Sequence, residues 1–121
     1  MKGGKMHKIF SEILFDLEKV KGVKMIALAG RDGFLIGDYE SDEIETLTMM
    51  SAVLLRAAEA ATNKLEKVSP DRVIVDYEGG KLITATVGQK ALISVMAAQD
   101  AALEPIFSEL ERTVGRIKEI L

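Results

Sequence analysis

The sequence predicts a single α+β domain in which helices sandwich a five-stranded antiparallel sheet, in the order α-β-β-α-β-β-β-α. Three observations carry this prediction. Three segments repeat their apolar residues at helical spacing, and short apolar runs between them are joined by glycine-containing turns. The length, 121 residues without a fixed-period repeat, suits one hydrophobic core.

Residues 1–6 hold two glycines among Met and Lys and offer little to bury, so they are expected to form a disordered extension ahead of a domain at 7–121. From His7 to Lys21, Ile9, Phe10, Ile13, Leu14, Leu17 and Val20 line one stripe of a helix. Lys19 and Lys21 oppose the negative end of its dipole, and Gly22 stops it. Val23 to Ala29 is apolar apart from Lys24, as befits a strand covered on both faces and central in its sheet. Gly30-Arg31-Asp32-Gly33 then turns the chain into a second strand, Phe34 to Tyr39.

Asp42 followed by Glu45 marks the start of a long helix, with Glu40 and Glu43 adding charge near its exposed N–H groups. It runs to about Lys67 and ends before Ser69-Pro70-Asp71. Arg72 to Glu78 alternates, with Val73, Val75 and Tyr77 on one side and Arg72, Ile74, Asp76 and Glu78 on the other. Gly79-Gly80 makes a hairpin into Lys81 to Val87, and Gly88-Gln89-Lys90 makes another into Ala91 to Ala97. The last helix carries Leu103, Phe107, Leu110, Val114, Ile117 and Leu121, with Pro105 in its first turn. Fewer than three heptads favour a terminal helix packed on the sheet over a coiled coil.

Composition narrows the function. Lys and Arg number 16 against 19 Asp and Glu, and the net charge of −3 is a poor match to nucleic acid. There is no Cys and one His, His7, which removes thiolate zinc sites, disulfides and His-based triads. The longest run without a polar side chain, Met25 to Gly30, is far below the roughly 20 residues a membrane helix needs, so no membrane insertion is expected. Ser11, Glu12 and Asp16 break any signal-peptide core, and a cytoplasmic chain is expected.

No catalytic, cofactor-binding or metal-binding residue is nominated. Gly30, Gly33 and Gly37 lie between strands, whereas a phosphate loop opens into a helix. Asp38, Glu40, Asp42, Glu43 and Glu45 lack the calcium-loop spacing and read as solvated charges at a helix start. Ser51 and Ser94 have no neighbouring base to activate them.

The long helix is more informative. Projected at roughly 100° per residue, Leu47, Met50, Leu54, Ala57, Ala58, Ala61 and Leu65 fall on one arc, which is expected to face the sheet. A second apolar strip, Met49, Val53 and Ala60, lies outside that arc with Arg56 beside it, and is expected to meet a partner. Arg72 to Glu78, as an outer strand, adds unpaired backbone groups, with Arg72, Ile74 and Asp76 on its second face. Pairing across a two-fold axis would satisfy them.

In the order of these elements the chain resembles the Roadblock (dynein light chain type) domain family, of a prokaryotic type. The resemblance runs from about His7 to Leu121. It includes the Val20-Lys21-Gly22-Val23 junction, the Gly30 to Gly33 hairpin followed by Phe34-Leu35-Ile36, and the alanine-rich Leu54 to Leu65. It implies a Roadblock/profilin-like fold and a homodimer, or a heterodimer with a related Roadblock chain, paired through the long helix and the strand at Arg72 to Glu78. It also implies a non-enzymatic scaffold or regulator that binds small Ras-like GTPases and needs no cofactor. The alternative is a small-molecule sensor, since helix-covered antiparallel sheets also host ligand pockets.

Overall fold

The computed structural model describes residues 4–37 and 41–121, with side chains from residue 8; residues 1–3 and 38–40 lie outside the described residues. Helix α1 (Gly4–Glu18) leads into strand β1 (Val23–Gly30), and helix α2 (Asp42–Glu66) follows. Strands β2 (Arg72–Tyr77), β3 (Gly80–Val87) and β4 (Ala91–Ala98) then form a meander, closed by helix α3 (Leu103–Lys118). The sheet is antiparallel with the order β1-β4-β3-β2.

The sheet therefore has four strands, not the five expected. The missing one is Phe34 to Tyr39, whose last two residues, Asp38 and Tyr39, lie outside the described residues. Its turn forms as expected, with Gly33 N–H donating to the Gly30 carbonyl at 2.9 Å. Only one bridge follows, Ala29 to Leu35, with Ile36 N–H donating to the Leu28 carbonyl at 2.8 Å. Gly33 and Gly37 hold positive φ values of 91° and 137°, so the extended backbone between them is too short to sustain a ladder. As a result β1 ends the four-stranded sheet instead of sitting at its centre, although helices cover both its faces.

Several boundaries also move. α1 starts at Gly4 and stops at Glu18, so Lys19 and Lys21 lie beyond its last turn. Tyr77 pairs with Gly80, which makes Glu78-Gly79 the hairpin turn and Gly80 the first residue of β3. The serine before Asp42 is the true cap of α2: Ser41 Oγ accepts from Ile44 N–H at 3.1 Å, and Asp42, Glu43 and Glu45 occupy the first turn.

Two layers of unequal character flank the sheet. α1 and α3 pack on one face and against each other, burying Phe10, Ile13, Leu17, Ile106, Leu110 and Ile117 over Ile83, Ile93 and Val95. In α3 the fully buried positions are Ile106, Leu110, Thr113 and Ile117, while Leu121 is half exposed, so the stripe is rotated by about one residue from the expected one.

α2 covers the other face with smaller side chains. Its buried residues are Ile44, Leu47, Thr48, Ser51, Ala52 and Leu55. Met50, Ala57, Ala61 and Leu65, expected to face the sheet, point outward instead. The cause is a buried polar contact: Ser94 Oγ of β4 donates to Ser51 Oγ at 2.6 Å, and Ala27 and Ala29 leave room for the helix to approach. Satisfied hydroxyls bury without a large penalty, so the core arc is not the most hydrophobic one.

Candidate functional site

The outward face of α2 and the free edge of β2 form the candidate site. α2 is held in one rotational setting by Arg31, which follows β1 in the turn. Its Nη1 donates to Glu59 of α2 at 2.7 Å, its Nε to the Ala91 carbonyl at 3.1 Å and its Nη2 to the Gly88 carbonyl at 2.9 Å. One planar guanidinium thus ties the helix to both ends of a hairpin turn in the sheet, in a fixed fork geometry. At the far end, Lys67 takes a left-handed conformation (φ 60°) and its N–H donates to the Asn63 carbonyl at 3.1 Å, closing the helix.

With α2 so fixed, Met49, Val53, Arg56 and Ala60 are all exposed. Met49, Met50 and Val53 keep 43%, 52% and 47% of their surface in solvent, which a singly scattered apolar residue does not explain. The strip is wider than the sequence indicated, because Met50, Ala57 and Ala61 extend it. Hydrophobic periodicity missed these residues by assigning the richest arc to the core. The signal that would have found them is the paired small hydroxyls, Ser51 and Ser94, which mark a tight interface between elements.

The three strand residues are placed differently. β2 ends the sheet, and no described strand pairs with its outer side. Ile74 is exposed at 41%. The Arg72 guanidinium lies over the Phe107 ring of α3, 4.3 Å from its centroid, and Asp76 accepts from Lys81 Nζ at 2.8 Å. Ile74 pairs with Ile83, which is buried under α1 and α3, so Arg72, Ile74 and Asp76 belong to the face opposite α2. On the α2 side β2 presents Val73, which packs with Ala52 and Leu55. The α2 strip and the Arg72, Ile74 and Asp76 side chains are therefore separate patches, and what links them is the open backbone of β2.

An exposed apolar helix face beside an unpaired strand edge is suited to binding a protein surface. Among the described residues no group of three or more His, Asp or Glu side chains is placed to hold a metal ion, and no helix is long and apolar enough to cross a membrane. Asp38 and Glu40 of the acidic group lie outside the described residues, and Asp42, Glu43 and Glu45 serve the α2 terminus.

Comparison with known proteins agrees with this architecture. The model of a family described as the Roadblock/LC7 domain matches residues 9–97. No curated protein matches the chain. Among solved structures, a Roadblock/LC7 domain from Streptomyces avermitilis is 16% identical with a TM-score of 0.84, covering 91% of this chain and 95% of that one. The gliding protein MglB of Thermus thermophilus is 19% identical with a TM-score of 0.85, covering 97% and 91%. An MglB described with a tetrameric arrangement is 19% identical with a TM-score of 0.86, covering 97% and 90%. At these identities the likeness is one of fold.

Proposed function

The chain belongs to the Roadblock/LC7 domain family, and from that premise we propose that it is a non-enzymatic, cytoplasmic homodimeric interaction module that binds a small Ras-like GTPase. The observation that carries the dimer is the exposed strip Met49, Val53 and Ala60 on α2 together with the open edge of β2.

Two properties of α2 favour pairing with a second copy in an antiparallel sense. Bulky Met49 and Met50 occupy its first half and small Ala57, Ala60 and Ala61 its second, so a reversed copy brings large side chains onto small ones. Its first turn holds Asp42, Glu43 and Glu45, whereas Lys64 and Lys67 stand at its other end, so the same reversal sets acid against base. Arg56 flanks the strip, and Ile74 and the β2 backbone offer a second, strand-mediated contact. Arg72 and Asp76 act at the rim, where their existing partners Phe107 and Lys81 hold them in place.

The GTPase is what the family resemblance implies, and family members are interaction domains rather than enzymes. The test is capture from native cytosol on the immobilised protein, with a non-hydrolysable GTP analogue in one sample and GDP in the other. A small GTPase retained in one nucleotide state is the expected result. Its absence from both samples, with folded bait, overturns the GTPase assignment and leaves the dimer to be judged by mass.

A further inference from the structure

The outer edge of β2 carries a pattern of its own. Thr86 N–H of β3 donates to the Asp71 carbonyl at 3.0 Å, and the same register pairs Val73 with Thr84, Val75 with Leu82 and Tyr77 with Gly80. Backbone direction alternates along an antiparallel strand, so Asp71, Val73, Val75 and Tyr77 turn their N–H and C=O groups towards β3. Arg72, Ile74 and Asp76 therefore turn theirs outward. Their side chains stand in one row on the face of the sheet that α1 and α3 cover.

A second copy joined to this edge across a two-fold axis runs antiparallel, and opposed residues share a face, so one residue of β2 must meet its own copy. Centred on Arg72 or Asp76, the pairing opposes like charges. Centred on Val73, it draws in Pro70, which has no N–H to give, and sets Arg72 against Ile74. Centred on Val75, it sets Ile74 against Asp76. Centred on Ile74, it lays isoleucine on isoleucine and each Arg72 against the other copy's Asp76, and every outward N–H and C=O of Arg72, Ile74 and Asp76 gains a partner. Both charged side chains have capacity for this contact. The Asp76 side chain stays 72% exposed although one oxygen accepts from Lys81 Nζ, and the place of Arg72 over the Phe107 ring spends none of its N–H donors.

We infer that Arg72 and Asp76 select the partner and the register at this edge: a second copy of this chain, with Ile74 on the two-fold axis and Arg72 of each copy against Asp76 of the other. This selection rests on the proposed homodimer, and it names what distinguishes the chain's own edge from that of a related chain. An exposed ion pair adds little affinity, but like charges in its place penalise a wrong neighbour, so the pair acts on specificity while the α2 strip and the backbone supply the binding. The axis stands perpendicular to the sheet and sets α2 beside its reversed copy on the same face, so one axis serves both contacts.

The test uses the full chain carrying Arg72→Asp or Asp76→Arg, whose masses differ, read by native mass spectrometry over a dilution series. Each variant opposes like charges at two symmetric places, so each homodimer weakens by about tenfold or more. Mixed, the two variants oppose only unlike charges, and a heterodimer forms about tenfold or more in preference to either homodimer. A wild-type dimer whose mixed variants show no such preference overturns the register and leaves the dimer standing; a wild-type monomer at every concentration overturns the dimer and the register with it. A cross-link reads the same register without altering a charge, because the chain has no cysteine. With Ile74 on the axis, Val73 lies opposite the other copy's Val75 at a Cα separation of about 4.5 Å, within disulfide reach, whereas the two copies of Val75 lie about 7 to 8 Å apart. Val73→Cys mixed with Val75→Cys is expected to oxidise to an interchain disulfide about tenfold faster than Val75→Cys alone. Faster cross-linking of Val75→Cys alone moves the axis to Val75 and overturns the inference.

Discussion

Val53→Glu tests the α2 dimer face most directly. Val53 retains 47% of its surface in the single chain, so pairing has about half a valine left to bury, on the order of 1 kcal/mol per copy. A two-fold interface counts the loss twice. Glutamate also brings a carboxylate from each copy towards the axis, where desolvation and like-charge repulsion add several kcal/mol before relaxation. A net weakening of about 4 kcal/mol is expected, close to a thousandfold in the dimer Kd. The single-chain fold loses little, because the site is exposed and glutamate is a better helix former than valine. Light scattering over a dilution series reads the mass, and circular dichroism melting at a concentration where both proteins are monomeric reads the fold. A wild-type dimer with an unchanged Val53→Glu dissociation constant refutes the placement of the interface. A wild-type monomer at every concentration refutes the dimer itself.

Three further substitutions examine how α2 and β1 are seated. Leu55→Ala removes a side chain with 1% exposure packed between Ala29, Ala52 and Leu92, and is expected to cost about 2 to 5 kcal/mol in urea unfolding, whereas Met50→Ala costs roughly 0.5 kcal/mol or less; equal losses would restore the orientation of α2 that hydrophobicity alone predicts. Gly22→Ala places a Cβ about 2.5 Å from the Ala101 Cβ at a φ of 95°, and a loss of roughly 1 to 3 kcal/mol is expected, read as a lower melting temperature; an unchanged melt would show that the α1 to β1 junction relaxes freely.

Most elements were legible in the sequence because each is specified locally. The stripe Phe10, Ile13 and Leu17, the alternation of Val73, Val75 and Tyr77, and the proline after Ser69 need no knowledge of distant residues. Charge, the absence of cysteine and the lone His7 likewise excluded whole classes of chemistry. Tertiary structure decided the rest. Whether Phe34 to Tyr39 pairs as a strand depended on backbone angles at Gly33 and Gly37, and only a single bridge at Leu35 was formed in its described part. Which way α2 faces depended on Ser51 meeting Ser94, residues 43 positions apart, and on the Arg31 to Glu59 contact. Hydrophobicity ranks the faces of an isolated helix, but packing against a neighbour rewards fit and satisfied hydrogen bonds, and those exist only once the neighbour is in place.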